Sequence, residues 1–246
     1  MTTDETLLLE ATDVARSYGT VSVLEDVSLD VHSGTVTALI GPNGSGKTTL
    51  IRTLAGLDET TAGTVSYRGP ETVREIGYLP QRPAFRPGQS VHDTLAFYAS
   101  LVGETEADAI ARLERVGLAD AADRDVDALS GGMTRLVGIA QATIGSPPVV
   151  ILDEPASGLD PAMRVHIFEA VERLAATGTA VLLSSHDLAL VERTADRVVL
   201  LDGGEIVRDG SPTALCEESG SGSLLAAFEE SIAAEAGTVR VQGETA

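Results

Sequence analysis

One stretch decides the fold of this chain: Val36-Thr-Ala-Leu-Ile40-Gly41-Pro-Asn-Gly-Ser-Gly46-Lys47-Thr48. A mostly apolar run, Val36–Ile40, leads into a segment that fits the pattern G-x-x-x-x-G-K-[ST]. A helical pattern follows over Lys47–Leu57. The glycines allow the backbone to curl so that its N–H groups point inward at phosphate oxygens, and the start of the helix adds a partial positive charge. The stretch therefore predicts a strand, a phosphate-binding loop (P-loop) and a helix, in that order.

Contacts with a nucleotide are predicted along the whole of this loop. Lys47 is expected to reach the β- and γ-phosphates as a compact charge, and the Thr48 hydroxyl to bind Mg²⁺. A glycine-rich turn that merely caps a helix is the alternative, but the preceding strand and the following helix favour the phosphate site. The predicted nucleotide-binding residues of the loop are Gly41, Pro42, Asn43, Gly44, Ser45, Gly46, Lys47, Thr48 and Thr49.

Two carboxylates follow another apolar run. The run Val149–Leu152 is predicted to be a buried strand, and Asp153 and Glu154 come directly after it. Open α/β sheets bind ligands at the carboxyl ends of their strands, so we expect both carboxylates near the phosphates. Asp153 would then hold the Mg²⁺ shell, and Glu154 would polarise the attacking water as a general base. A solvated acidic pair at a strand end is the alternative.

Short β-rich runs alternate with helical patterns along most of the chain. This alternation predicts an α/β fold with a largely parallel sheet covered on both faces, an antiparallel β subdomain and an inserted helical subdomain at about residues 84–145. With the phosphate-binding loop after Ile40, the core resembles that of the P-loop NTPases (RecA-like). Strands are predicted at Leu7–Val14, Val21–Val31, Val36–Ile40, Gly63–Tyr67, Ile76–Leu79, Val149–Leu152, Ala180–Ser184 and Val198–Leu201. Helices are predicted at Lys47–Leu57, Val91–Leu101, Glu106–Val116, Gly131–Ile144, Ala162–Ala176 and Leu188–Thr194.

The C-terminal part of the chain has a different character. An ATPase domain is predicted over residues 1–216, and Glu217–Ser223 has the composition of a flexible linker. Beyond the linker, Leu224, Phe228 and Ile232 recur every four residues, which predicts a short amphipathic helix. The last ten residues are expected to be loose.

Composition narrows the possible partners. The chain has 37 acidic and 17 basic residues, a net charge of −20, and Lys47 is its one lysine. Nucleic-acid binding is not expected, because phosphate contacts need clustered Lys and Arg. Strong acidity with almost no lysine suggests a halophilic protein, since molar salt screens self-repulsion. The single cysteine, Cys216, excludes an internal disulfide, and the absence of a long apolar run or a basic leader predicts a cytosolic protein.

A further segment indicates which class of P-loop ATPase this sequence resembles. Leu129-Ser130-Gly131-Gly132-Met133 lies upstream of Asp153 and resembles the signature motif of ABC ATPases, LSGGQ. The resemblance implies that Ser130, Gly131 and Gly132 meet the γ-phosphate of ATP bound to another subunit, so that ATP holds two monomers together. Met133 departs from the family's glutamine and cannot make the polar contacts of that residue.

Other landmarks occur in the order found in this family, over roughly residues 7–210. Tyr18 resembles the aromatic residue that stacks on adenine, and Gln81 resembles the Q-loop glutamine near Mg²⁺ and the water. Ser157–Asp160 resembles the D-loop that crosses the dimer, and His186 matches the switch histidine that contacts the γ-phosphate. The resemblance thus implies a catalytic set of Glu154, His186, Lys47 and Gln81, and a metal set of Thr48, Gln81 and Asp153.

The resemblance also implies a function. It is that of an ATP-binding and hydrolysing subunit of an ABC transporter, which uses ATP and Mg²⁺ and works as a homodimer or with a paired ATPase subunit. Such a subunit drives a separate transmembrane permease from the cytoplasmic face of the membrane. Two segments, Gly132–Leu136 and Leu224–Ala236, resemble the corresponding segments of ATPases of the ABC-2 export class. Within that class, the chain is similar to the ATPase of the system that matures copper-containing nitrous-oxide reductase.

Two alternatives and one ambiguity stay open. A soluble ABC ATPase without a transporter, for example of the iron–sulfur assembly type, would share these motifs, and so would a nucleotide-binding module that signals without hydrolysis. In transporter ATPases the permease docks between the Q-loop and the helical subdomain. The aromatic residues in that region would form either this docking surface or the core of the subdomain: Tyr78, Phe85, Phe97 and Tyr98.

Overall fold

The computed structural model describes residues 6–236 of the 246-residue chain. The predicted loose tail lies outside the described residues. The strands are β1 (Leu7–Tyr18), β2 (Val21–His32), β3 (Val36–Ile40), β4 (Ala62–Tyr67), β5 (Ile76–Leu79), β6 (Val149–Leu152), β7 (Ala180–Ser184), β8 (Arg197–Asp202) and β9 (Glu205–Gly210). The helices are α1 (Lys47–Leu54), α2 (Val91–Leu101), α3 (Glu106–Arg115), α4 (Gly131–Ala142), α5 (Pro161–Ala176), α6 (Leu188–Thr194), α7 (Pro212–Glu218) and α8 (Leu224–Ala236).

A six-stranded sheet forms the centre of the molecule, in the order β5-β6-β7-β3-β8-β9. The first five strands are parallel, and β9 pairs antiparallel with β8. All residues of β3, β6 and β7 are buried, because helices or the second sheet cover both faces. Along β3, for example, Ile40 packs into one hydrophobic cluster and Leu39 into the other, on the opposite face. The prediction of a largely parallel, doubly covered sheet is confirmed.

The second sheet is antiparallel, in the order β2-β1-β4, and confirms the predicted antiparallel layer. The helix α1 packs between it and the central sheet, where Leu50, Ile51 and Leu54 are fully buried. Strand β1 continues to Tyr18 and does not end at Val14 as predicted. Its pairing is shifted around Asp13, which has a positive φ of 50°, and this irregularity breaks the alternating pattern.

The predicted end of another element, α1, is also wrong. The helix α1 ends at Leu54, before the predicted Leu57, because Gly56 takes a left-handed conformation with φ 69° and closes the last turn. Strand β9 was not predicted. It is an exposed edge strand with charged residues, which the turn at Gly203 and Gly204 brings back onto β8.

Helices α2, α3 and α4 fill the region between β5 and β6, where the inserted helical subdomain is predicted. Side-chain caps fix where they begin: the Ser90 hydroxyl accepts a hydrogen bond from the Asp93 N–H at 2.9 Å, and Thr105 forms a reciprocal capping box with Asp108. The helix α4 returns the chain to the sheet. Its last turn passes so close to β5 that a side chain at Gly77 would strike the Ala142 carbonyl.

The C-terminal segment differs from its predicted form at one point. Glu217 and Glu218 belong to a helix, α7, so the non-helical connection is shorter than the predicted linker Glu217–Ser223. The structure places α8 over the predicted amphipathic segment, with Leu224 buried and Phe228 packed against the main hydrophobic cluster. No helix within residues 6–236 is long and apolar enough to cross a membrane.

Candidate active site

A cavity of about 340 Å³ lies at the carboxyl ends of the parallel strands. The P-loop supplies most of its wall, while Gln81 and Glu154 follow β5 and β6 on the other side. Val23, from the antiparallel sheet, completes it. The lining residues are Val23, Asn43, Gly44, Gly46, Lys47, Thr48, Thr49, Gln81 and Glu154. Residues that are far apart in the sequence therefore share one site.

The P-loop takes its shape from glycine and from contact with the second sheet. Gly46 has a φ of 103°, and a side chain there would come within 2.9 Å of both the Val23 carbonyl and the Leu24 side chain. The Lys47 ammonium is held inside the loop, where it donates to the carbonyl oxygens of Gly41 and Pro42 at 2.8 Å. Its side chain lies among backbone carbonyls, and the residue is only 6% exposed.

Burial is the main influence on the ammonium group of Lys47. It lowers the pKa of Lys47, and the negative charges of Glu154, Asp153 and Asp202 only partly offset this effect. A cation with little access to water is thus placed where the loop is predicted to bind phosphate oxygens.

The two carboxylates that follow β6 are held in different environments. Asp153 is 1% exposed, and its Oδ1 accepts hydrogen bonds from the Ser184 hydroxyl at 2.9 Å and the Thr48 hydroxyl at 3.4 Å. Burial raises the pKa of Asp153, although both hydroxyl groups oppose the shift.

The backbone conformation of Glu154 directs its side chain away from that of Asp153. Its backbone has a φ of 45°, a left-handed conformation that is unfavourable for a residue with a side chain. Its Oε2 accepts a hydrogen bond from Gln81 Nε2, and its Oε1 lies beside His186 Nε2, each at 2.9 Å. Burial alone would raise the pKa of Glu154, but the Gln81 bond and the His186 side chain outweigh it, so the pKa is lowered. The strained backbone aims an ionised carboxylate at the cavity.

Ser184 is a site residue that the sequence analysis did not assign. It is fully buried at the end of β7, and its hydroxyl donates to Asp153 Oδ1 and accepts from the Glu154 N–H at 2.8 Å. The single hydroxyl group therefore fixes both carboxylates. Its one sequence signal was its position at the end of a buried apolar strand.

The signature segment does not line the cavity of its own chain. Ser130 caps α4 by accepting a hydrogen bond from the Met133 N–H at 3.3 Å, and Ser130 and Gly131 are exposed. Gly132 is buried against Met163 of α5, where a side chain would collide with that methionine. Met133 packs partly buried against the main hydrophobic cluster.

Tyr18 also lies outside the cavity wall. It is 47% exposed at the end of β1, opposite Val21. Its hydroxyl donates to Asp58 Oδ2 at 3.1 Å, and the Arg16 guanidinium lies over its ring, 4.5 Å from the ring centre. The structure thus holds the ring in place without bringing it into the phosphate cavity.

The aromatic residues near Gln81 differ in how far they are buried. Tyr78 packs against the hydrophobic cluster next to α1, and Phe85 and Tyr98 pack against the main cluster. Phe97 is 53% exposed and forms an edge-to-face contact with Tyr98. Only part of the set therefore belongs to a core.

Together, the fold and the site define a nucleoside-triphosphate-hydrolysing domain of the P-loop class. The P-loop lies beside a buried carboxylate, and a second, ionised carboxylate is held between a glutamine and a histidine. Such an arrangement can bind phosphates and orient a water molecule for attack.

Comparisons with known proteins identify the family. A family profile described as ABC transporter matches residues 24–157. The linearmycin resistance ATP-binding protein LnrL of Bacillus subtilis (strain 168) is 34% identical over 229 residues, covering 89% of this chain and 74% of that protein. The lantibiotic transport ATP-binding protein SrtF of Streptococcus pyogenes is 34% identical over 204 residues, covering 81% of this chain and 89% of that protein.

A solved structure agrees with these matches. A protein described as the ATP binding subunit of an ABC transporter superposes with a TM-score of 0.81 and 32% identity, covering 92% of this chain and 99% of that one. The chain therefore belongs to the ABC transporter family, as one of its ATP-binding proteins. The predicted fold class and the prediction of an ATP-hydrolysing ABC subunit are confirmed.

Opposite effects on stability are expected from neutralising the two carboxylates. At neutral pH the ionised Asp153 destabilises the fold, because its pKa is raised by folding, and this penalty is relieved as pH falls through the folded-state value. Glu154 stabilises the fold, because its pKa is lowered, and this contribution is lost as pH falls through its own folded-state value. In urea titrations at pH 7 without nucleotide or metal, Asp153→Asn should raise the free energy of unfolding and Glu154→Gln should lower it. A change of the same sign in both variants would contradict this assignment.

Proposed function

We propose that this chain is the ATP-binding and hydrolysing subunit of an ABC transporter, which drives a separate membrane permease by ATP-dependent dimerisation. The observation that carries the proposal is the contact of Gln81 and His186 with the two oxygens of Glu154, at the edge of a cavity built by the P-loop. Relatives named for linearmycin resistance and lantibiotic transport favour a transporter over a soluble ABC ATPase.

ATP is the substrate in this proposal. The loop from Gly41 to Thr49 surrounds its phosphates with backbone N–H groups, to which Pro42 adds none. Lys47 neutralises charge on the β- and γ-phosphates, and the adenine stacks on Tyr18. Glu154 accepts a proton from the attacking water. Gln81 and His186 hold the Glu154 carboxylate in position relative to the γ-phosphate. The Glu154 carboxylate, whose pKa is lowered, is ionised at neutral pH and can therefore accept a proton.

Mg²⁺ fits the oxygen atoms that the chain offers. The Thr48 hydroxyl and the buried Asp153 carboxylate lie within hydrogen-bond distance of each other, and oxygen ligands are those that Mg²⁺ prefers. Within the described residues no three His, Cys, Asp or Glu side chains form a metal cage. Thr48, Asp153 and Gln81 would hold the ion, which would neutralise charge on the phosphates.

A dimer follows from where the signature segment lies. Ser130 and Gly131 are exposed at the start of α4 and do not line the cavity of their own chain, so they are proposed to cover ATP on a second ATPase subunit. The D-loop, Ser157–Asp160, would lie in the same interface. The partner is a second copy or a paired subunit. Loss of the γ-phosphate then removes the contact and opens the dimer.

The permease is proposed to contact the helical subdomain, at the cytoplasmic face of the membrane. Phe97 and Leu101 on α2 are 53% and 66% exposed, and an exposed aromatic residue next to an exposed leucine is typical of an interaction surface. In this proposal residues 84–145 form the helical subdomain of an ATPase domain over 1–216, and residues 217–246 comprise the linker, the short amphipathic helix and the tail.

Glu154→Gln should separate binding from hydrolysis. We expect its ATP hydrolysis to fall roughly 10²-fold or more, since the general base is lost, while MgATP binding persists. Light scattering in saturating MgATP should then show a stable dimer, and adding Ser130→Arg should return it to monomer. Hydrolysis by Glu154→Gln at the wild-type rate would show that the base is assigned wrongly.

The docking surface can be tested by purification from native membranes in molar KCl with ATP trapped. The tagged chain should retain a stoichiometric partner with several membrane spans. Phe97→Ser should reduce its yield, because the exposed ring contributes to the contact. Val73→Ser, which changes an apolar side chain that is 75% exposed elsewhere, is the control and should have no effect. Recovery of soluble partners alone would favour the non-transport ATPase.

The acidic composition leads to a proposal about salt. With a net charge of −20, self-repulsion opposes folding, and the screening length falls from about 10 Å at 0.1 M salt to about 3 Å at 1 M. We expect the urea midpoint of unfolding to rise steadily as KCl is increased to molar concentration. A midpoint that is independent of KCl would remove the halophilic interpretation.

A further inference from the structure

Glu154 also lines a second cavity, of about 200 Å³, which the predicted roles leave unexplained. Its walls are the D-loop on one side and residues 185–187 on the other. Arg164, in the first turns of α5, also lines it. The cavity thus joins the hydrolytic centre to the segment that is proposed to meet the second subunit.

His186 lies between two anchored neighbours. On one side, the Ser185 N–H donates to the Leu39 carbonyl of β3 at 3.3 Å, and the Ser185 hydroxyl accepts from the Asp187 N–H at 3.0 Å. On the other side, Asp187 Oδ1 accepts from the Leu190 N–H at 3.2 Å and caps α6. The backbone on both sides of the imidazole is therefore restrained.

The second oxygen of Asp187 binds outside its own segment. Its Oδ2 accepts a hydrogen bond from Arg164 Nη1 at 2.7 Å, and this ion pair ties α6 to α5. Because α5 begins directly after the D-loop, with Asp160 as its cap, the ion pair links that loop to the neighbour of His186. His186 in turn reaches Glu154 at 2.9 Å. The contacts form one continuous chain from the D-loop to the proposed base.

Stability of α5 does not explain an arginine at this position. Arg164 lies near the N-terminus of the helix, where a positive charge is unfavourable to the helix dipole. Its Nε is buried and has no hydrogen-bond acceptor among residues 6–236, which is also unfavourable. The pair is partly exposed, so its attraction alone adds little to folding. The arginine is better explained by its effect on Asp187.

We propose that Arg164 is a positioning residue for ATP hydrolysis, whose ion pair with Asp187 holds His186 against Glu154 and transmits the position of the D-loop to them. The inference rests on the proposed function, because it uses the roles given there to Glu154 and His186. A shift of the D-loop on contact with a second subunit moves the start of α5, and Arg164 passes that movement to Asp187.

The test compares ATP hydrolysis by variants of the full-length chain over a range of MgATP concentrations. Arg164→Gln removes the charge, and Asp187→Asn removes the ion pair but keeps an acceptor that can cap α6. Arg164→Lys keeps a cation. Arg173→Gln is the matched control, because Arg173 is on the same helix and its ion pair with Glu169 lies on the exposed surface.

Arg164→Gln and Asp187→Asn should each lower kcat roughly tenfold or more and leave KM for MgATP within about twofold, because the P-loop cavity is intact. The double variant should be no worse than either single variant, since both remove the same contact. Arg164→Lys should recover most of the rate, and Arg173→Gln should match the wild type. Thermal unfolding of all variants should stay close to that of the wild type.

Several results would overturn the inference. If Arg164→Gln has the wild-type kcat while Glu154→Gln is inactive, the role proposed for Arg164 is wrong and the proposed function still stands. A loss of rate accompanied by an equal rise in KM and a lower unfolding temperature would show that the ion pair only supports the fold. Wild-type hydrolysis by Glu154→Gln would overturn the proposed function together with this inference, because no base would remain for the pair to position.

Discussion

The site depends on one buried hydroxyl group, that of Ser184, which holds two neighbouring carboxylates in different environments. By donating to Asp153 and accepting from the Glu154 N–H, it keeps the first side chain inside the protein and the second turned outward. Adjacent acidic residues would otherwise repel each other and compete for the same protons. The left-handed backbone of Glu154 completes the separation. One carboxylate is thereby suited to a metal ion and the other to a water molecule.

The antiparallel sheet also contributes to the phosphate cavity. Val23 forms one wall of the phosphate cavity, and the backbone at Val23 lies against Gly46 closely enough to exclude any side chain there. The P-loop therefore lies against both sheets, with Gly46 close to Val23 and Gly41 close to the Leu201 carbonyl of β8. The helix α1, which is packed between the two sheets, has Lys47 and Thr48 at its start.

The sequence predicted some parts of this structure well and others poorly, for physical reasons. Strands β3, β5, β6 and β7 have the predicted ends, because they are short apolar runs bounded by turn residues. Strand β9 and helix α7 were missed, since charged edge residues and a short polar helix leave no such pattern. Motif residues adjacent in sequence, such as Asp153 and Glu154, were found together. The roles of Ser184 and Arg164 were not found, because their contacts form only when separate elements pack together. Such contacts leave no pattern of spacing in the sequence.

The burial of Lys47 has a consequence for the chemistry of the whole surface. The chain has one lysine, and it is 6% exposed at the bottom of the phosphate cavity. Apart from the amino terminus, the protein therefore offers reagents no side-chain amine on its exterior. The one side-chain amine lies where the triphosphate is proposed to bind, and burial lowers its pKa. Acylation of Lys47 would thus report whether the site is occupied, because bound nucleotide should block it. No other side-chain amine would contribute to the signal.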